Sequence, residues 1–583
     1  MAFPSSSSTA RSPTTFFRKL WASIIKYASF VGPGAMVSVA YMDPGNYATD
    51  VTAGASYRFQ LLFVVLISNI IAIVLQSLSI KLGSVTGLNL AQMIKAHTHP
   101  YLNAFLYVVA EIAIIATDMA EVIGTAIALD LLFKIPLVAG CIISIADVLL
   151  ILLFYSPGNS IRAVRIFELG VFALVLAVVV CFCYQLSLIQ NTDVGTVLRG
   201  YVPNSAILQK QGMYQACGIL GATVMPHSLY LGSGTIQSRL LKYDQTHGLA
   251  PKSTVISFET ATKAPRPSDE STTTSDSNAS LPSPSLYLPS LRAIRHGLKM
   301  SIIELTISLF TFALFVNSAI LIIAGASLYS DSDAASADLF GIHDLLSKHL
   351  APAAGTLFAT ALLLSGISAG IVCTIAGQII SEGQVSWHIK PWQRRILTRS
   401  IAITPSVIIA GSIGKEGISK ALEASQVVLC FCLPIITAPL LWFTSKAKYQ
   451  RVQVMPNGER ITAGDDLELE DEVEEEDRLG REGEEIVSSH ARSPSTSTAL
   501  SNGGTAERRM STLVSAEEAP SAQAASRTEG AGGVVGTGLL PGTIQTVQFH
   551  NHWATTAISL LIWLVILAMN MAAVVMLALG VGD

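Results

Sequence analysis

Charge is what this sequence lacks. Asp, Glu, Lys and Arg make up only 13% of its 583 residues, against 51% hydrophobic ones. A soluble domain carries roughly a quarter charged residues, so the chain is read as a polytopic membrane protein and not a soluble enzyme. Cysteine pairs at extracellular-loop spacing are also missing, as is any CxxC. The seven cysteines (Cys141, Cys181, Cys183, Cys217, Cys373, Cys430 and Cys432) lie in or beside apolar segments, which argues against a disulfide framework or a zinc site. The first residues, MAFPSSSSTARSPTTFFRKLW, hold no hydrophobic run followed by a small-residue cleavage site, and read as a cytosolic tail instead of a cleaved signal. The net charge of −4 leaves no basic footprint for nucleic acid.

What is there is a series of long apolar runs. Eleven candidate spans fall near 28–54, 60–82, 103–132, 137–157, 163–187, 212–240, 298–327, 354–382, 396–413, 419–444 and 553–580. Each has about the 20 apolar residues that cross hydrocarbon. Arg11, Arg18, Lys19 and Lys26 precede span 1. Lys95, the pair Arg162 and Arg165, and the group Lys390, Arg394 and Arg395 fall in loops on that same side, whereas the acidic loop SDSDAASAD falls on the other. Basic short loops mark the cytosolic side, so the N-terminus is expected in the cytosol and the C-terminus outside. The chain then divides into a tail, 1–25; spans 1–6, 26–242; a cytosolic insert, 243–294; spans 7–10, 295–445; an acidic cytosolic insert, 446–549; and span 11, 550–583. The first insert is rich in Ser, Thr and Pro, and the second contains DDLELEDEVEEED. Neither can bury enough apolar surface to fold alone, so both read as disordered, and regulatory adaptors would dock there. Asn278-Ala279-Ser280 matches a glycosylation acceptor, but on this topology it faces the cytosol.

Two of the spans are interrupted. Asp43-Pro44-Gly45-Asn46 sits inside span 1, and Pro226 sits inside span 6 with Gly218 and Gly221 just before it. Proline removes a backbone donor and glycine weakens a helix. Non-helical backbone survives at membrane depth only where protein or a water-filled cavity satisfies it. A carboxylate there costs about 2.5–3.5 kcal/mol on insertion scales. Breaks in the first span of two successive five-helix blocks point to an inverted repeat, spans 1–5 and 6–10, with a substrate site between the breaks and span 11 as an appendage.

The breaks offer a distinctive set of donors: the Asp43 carboxylate, the Asn46 amide oxygen, the Ala222 carbonyl freed by Pro226, and the Met225 thioether. Oxygen alone suits magnesium, calcium or sodium, and a soft sulfur tilts the set toward manganese, iron(II) or other late first-row metals. Met225 as plain core packing and Pro226 as a simple kink are the alternatives. In span 3, Glu111, Asp118 and Glu121 lie within about 80° of one another on one helical face. They are either a proton relay or a structural set paired with basic groups of neighbouring helices. His227, two residues after Met225, titrates near neutral pH in its free form.

DPGN in span 1 together with ATVMPHSLYLGS in span 6 resembles the signature of the Nramp family of proton-coupled divalent-metal transporters, and is most similar to the fungal Smf-type branch. The resemblance extends over all the spans, including ELTISLFTFALFVNSAILI, LLLSGISAGIVCTIAGQIISEG and RSIAITPSVIIAGSIG. It implies an all-α fold of eleven helices, LeuT-like, with a 5+5 inverted repeat, broken helices 1 and 6 and an extra helix 11. It implies Asp43, Asn46 and Met225 as side-chain ligands of the metal, Ala222 as a carbonyl ligand, and Ala40 and Gln426 as ligands in part of the cycle. It further implies a proton pathway through Asp43, Glu111, Asp118 and Glu121, with His227, Arg239 and Arg399 beside it; either arginine could equally be an anchor at the cytosolic end. The implied activity is import of Mn2+ or Fe2+ with H+ by alternating access, with no cofactor, in a monomer of the plasma membrane or an endosomal or vacuolar membrane. Two positions depart from the family pattern: Gly232 stands where many members carry a second His, and Ile367 where related chains often have Gln.

Two other functions compete. A sodium-coupled organic-solute carrier on the same fold would hold small polar residues at the breaks and not an Asp–Met pair. A magnesium channel or metal-sensing receptor would lack saturable, pH-dependent uptake.

Overall fold

The structure, a computed structural model, describes residues 37–145, 161–190, 192–250, 287–329, 339–385, 391–454 and 545–578. The first part of span 1, the later part of span 4, the SDSDAASAD loop, Asn278 and the body of both inserts lie outside the described residues. Contacts divide the chain into a helical unit, 1–452 with 549–583, and a second unit, 453–548. Of the second, residues 453–454 and 545–548 are described; they belong to a two-stranded sheet, β1 (Arg451–Val454) with β2 (Gln545–Gln548).

The helical unit is built in chain order from α1 (Pro44–Tyr57), α2 (Leu62–Thr86), α3 (Leu90–His97), α4 (Pro100–Phe133), α5 (Leu137–Ile143), α6 (Ile161–Ser187), α7 (Val194–Arg199), α8 (Lys210–Thr223), α9 (Pro226–Thr246), α10 (Leu291–Ser308), α11 (Leu314–Ser327), α12 (Leu339–His349), α13 (Pro352–Gln384), α14 (Pro391–Ser412), α15 (Lys415–Ser445) and α16 (Trp553–Ala578). Local chemistry sets the boundaries. Asp43 caps α1, with Pro44 in the first turn where its missing N–H costs nothing. Asn89 and Gln92 close a capping box on α3. Gly87 ends α2 in the left-handed conformation, at φ 74°.

Among the described residues, seven helices are long and apolar enough to cross a membrane: α2, α4, α6, α10 continuing into α11, α13, α15 and α16. They coincide with predicted spans 2, 3, 5, 7, 8, 10 and 11. Predicted span 6 is two helices, α8 and α9, and span 9 is α14, which contains Pro405. Span 7 is continuous but passes through one π-helical turn, Leu309–Ala313. Two predicted boundaries shift: α9 runs past residue 242 to Thr246, and α10 begins at Leu291, inside the predicted first insert. Asp244 explains the second shift. It accepts hydrogen bonds from the Tyr287 hydroxyl at 2.7 Å and the Ser290 N–H at 2.9 Å, and Ser290 in turn caps α10.

The core lies where α4 packs against α13 and α15, α11 against α1, and α9 against α2. α6 and α16 keep large apolar side chains outward, among them Leu169, Val180, Leu561 and Trp553. Outward apolar surface of that extent belongs against lipid. The chain is a multi-pass membrane protein.

Candidate metal site and the buried acid set

The first break is visible in the backbone. Val37–Val39 are helical, Ala40–Met42 form a turn, and α1 restarts at Pro44. Asp43 and Asn46 are fully buried and face each other. The Asp43 Oδ1 accepts from the Asn46 side-chain amide at 2.7 Å and from the Asn46 backbone N–H at 3.1 Å. The turn's carbonyls are satisfied from other helices: Asn46 and, from α11, Asn317 both donate to the Tyr41 carbonyl, and Ser365 of α13 donates to that of Met42. Backbone unwound at this depth is therefore held by protein, as its burial requires.

The second break falls at Val224 and Met225, where φ/ψ of −100°/76° and −73°/121° leave the helical region before Pro226 opens α9. Pro226 has no N–H to give to the Ala222 carbonyl. Ala222 and Met225 are fully buried. The breaks are tied together: the Tyr41 and Ser228 hydroxyls are 3.1 Å apart, and the Gln76 amide of α2 donates to both, at 3.0 and 2.8 Å. Ser228 donates back to the Met225 carbonyl at 2.7 Å.

Gln426 of α15 closes the site. A Cβ on Gly45 would lie 2.2 Å from the Gln426 amide nitrogen, and one on Gly221 would lie 2.2 Å from its carbonyl oxygen. Glycine at these two positions lets α1 and α8 approach α15 at the level of the breaks. A Cβ on Gly124 of α4 would lie 2.2 Å from Pro44, so the first break is also backed closely by α4. The outcome is a set of buried oxygens with no hydrogen-bond donor: Asp43 Oδ2, Asn46 Oδ1 and Gln426 Oε1. Buried acceptors, one of them on a carboxylate, without a donor call for a cation.

On α4, Asp118 and Glu121 both point to Arg399 of α14. The guanidinium bonds Asp118 closely and reaches the Glu121 carboxylate at 3.4 Å, with all three residues buried. Arg399 is thus no cytosolic-end anchor; it bridges two acids inside the helix bundle. The Cys373 sulfur of α13 lies within 4.8 Å of both carboxylates. Glu111 sits two turns earlier on the same helix and is partly exposed. His227, buried in the first turn of α9, places Nδ1 3.3 Å from the Thr117 hydroxyl, next in sequence to Asp118. Arg239 goes elsewhere, pairing with Glu304 of α10 at 2.5 Å and with the Ser301 hydroxyl at 2.8 Å.

The sequence reading did not pick out Glu304, Gln76, Tyr41, Asn317 or Cys373. Glu304 had a legible signal, a lone acid in the apolar run SIIELTIS; the others are polar residues whose partners come from distant helices. The departure at Gly232 acquires a physical reason, because a Cβ there would lie 2.3 Å from the Gln76 side-chain oxygen. Gln76 occupies the space that a second imidazole would need.

Two broken helices facing each other, with buried oxygens short of positive charge between them, define a membrane transporter and not an enzyme. The chain belongs to the Nramp family. The profile of that family, natural resistance-associated macrophage protein-like, matches residues 34–463. The chain is 44% identical to the manganese transporter SMF1 of Saccharomyces cerevisiae over 586 aligned residues, covering all of this chain and 91% of that one. It is 48% identical to the iron transporter SMF3 of the same yeast, over 73% of this chain and 83% of that one. Among solved structures, the manganese transporter of Eremococcus coleocola superposes with a TM-score of 0.57 at 32% identity, over 74% of this chain and 81% of that one.

Proposed function

We propose that this chain imports divalent transition metals, Mn2+ or Fe2+, together with protons by alternating access. The observation that carries the reading is the trio of donorless oxygens, Asp43 Oδ2, Asn46 Oδ1 and Gln426 Oε1, packed between the two breaks. The Met225 thioether and the Ala222 carbonyl complete the ligand set, and the Ala40 carbonyl joins in part of the cycle. The sulfur selects against hard cations, which gain nothing by exchanging water for it.

In this reading Asp43 is where metal and proton meet. The metal displaces a proton from its carboxylate, and the proton leaves by way of His227, Thr117 and the Asp118–Glu121 pair. One guanidinium faces two carboxylates there, so the Asp118–Glu121–Arg399 group can accept a proton without gaining net positive charge. Glu111 extends the same face of α4, and Arg239 orders the inner half of α9 through Glu304. The two half-helices rock to close one vestibule and open the other.

The architecture proposed for this cycle is eleven helices in a LeuT-like 5+5 inverted repeat with an extra helix. The N-terminus and both inserts lie in the cytosol, and the protein is a monomer of the plasma membrane or an endosomal or vacuolar membrane. The relatives named for manganese and iron transport support the metal class. The test is uptake of 54Mn into liposomes holding the purified chain, with and without a pH gradient. Asp43→Asn should abolish uptake while the protein remains folded; uptake near the parent rate by that variant would sink the ligand assignment.

A further inference from the structure

α10 presents one face of mixed character. Arg292, Arg295, His296 and Lys299 are all exposed. At 100° per residue they fall within about 100° of one another. The opposite arc, with Ala293, Ile294, Gly297 and Leu305, is buried against the protein. One turn beyond Lys299, about 6 Å along the axis, the same outer face turns apolar: Ile303 and Ile307 are 44% and 40% exposed, and Phe310, in the π-helical turn, is 53% exposed. The two buried acids nearby are engaged elsewhere, Asp244 by Tyr287 and Ser290 and Glu304 by Arg239.

A cationic stretch followed, on one face and after one turn, by exposed aliphatic and aromatic side chains matches the cross-section of a phospholipid. Cations attract anionic headgroups within a Debye length of the leaflet, and exposed apolar surface at hydrocarbon depth takes acyl chain. We propose that this face binds an anionic phospholipid, its headgroup phosphate among Arg292, Arg295, His296 and Lys299 and an acyl chain along Ile303, Ile307 and Phe310. On the proposed topology the lipid belongs to the cytosolic leaflet. Its helix bears on the metal site: α10 continues through the π-turn into α11, whose Asn317 side chain donates to the Tyr41 carbonyl in the first break at 3.2 Å. A lipid that steadies this helix steadies that contact, and the coupling to transport, unlike the site itself, rests on the proposed function.

The test uses the full chain in phosphatidylcholine nanodiscs with and without phosphatidylserine, with retained lipid counted by native mass spectrometry. The parent should retain phosphatidylserine. Arg295→Glu with Lys299→Glu should lower its occupancy by at least about tenfold, since each basic side chain near an anionic leaflet contributes roughly a fivefold gain. Ile303→Ser should lower it as well, and Lys134→Glu, an exposed cation just past the end of α4, should not. Equal retention by the parent and the double variant overturns the proposal, as does displacement of the lipid by inorganic phosphate, which would mean that the acyl contacts do nothing. Manganese uptake in the same lipids then separates the two readings. A parent that transports at a rate indifferent to phosphatidylserine while retaining it refutes the coupling and leaves the site standing; loss of transport in every lipid refutes the proposed function instead.

Discussion

At the scale of single residues, Met225 and Arg399 make the sharpest commitments. Met225 is fully buried at the start of α9, one turn from Ala222. In the proposed ligand set its sulfur is the soft donor among oxygens, so Met225→Ala should weaken manganese transport and let calcium compete. Competition assays in proteoliposomes read this directly, and a variant that still rejects calcium as the parent does would end the sulfur argument. Arg399 is the cation between Asp118 and Glu121. Truncating it to leucine removes the cation that both buried carboxylates face, a loss on the order of 3–5 kcal/mol, so Arg399→Leu should melt well below the parent in detergent while Arg399→Lys retains most of the stability. The two residues differ in how legible they were. Met225 stood out because it precedes a proline in an apolar helix. Arg399 could equally have been an interfacial anchor, since 281 residues separate it from Asp118 and only the packing of α14 on α4 brings them together.

At the scale of elements, the meeting of the ends of α3 and α15 carries a testable pH response. His97 closes α3, and its ring lies 4.9 Å from Tyr449 and 6.2 Å from Phe443, just past and within the end of α15. Partial burial, and then the nearby Lys448 ammonium, push the His97 imidazole below its usual value. A base whose pKa is lowered on folding binds more protons when the contact is open. The contact is therefore at full strength above the free imidazole value and weakens as pH falls through it. Amide protection across residues 446–450, with exchange corrected for its intrinsic pH dependence, should fall between pH 7.5 and 5.5 in the parent and stay flat in His97→Phe. Protection that ignores pH in the parent would remove the imidazole from this contact. The helices themselves were readable from their apolar length and the breaks from proline and glycine. The extension of α9 and the early start of α10 were not, because they depend on Asp244 finding Tyr287 and Ser290 across the first insert.

At the scale of the whole molecule, the proposal distinguishes a carrier from a channel. Three charges move inward per cycle if one divalent ion travels with one proton, and each contributes about 2.3 kcal/mol per 100 mV. Uptake should therefore saturate with metal and accelerate under an inside-negative diffusion potential in liposomes; uptake that rises linearly with metal would favour the channel reading. Composition alone determined the solvent of this protein, because 13% charge cannot clothe a soluble chain of this length. The local rules of proline, glycine and a costly buried acid determined where its helices break. Tertiary structure alone decided what the breaks face. The Gln426 side chain lies against the first break only because residue 45 is a glycine, and α8 approaches the backbone of α15 only because residue 221 is one. Gln76 displaces any side chain at position 232, and one arginine serves two acids. Those outcomes depend on distances between segments far apart in the chain, which no local pattern of residues encodes.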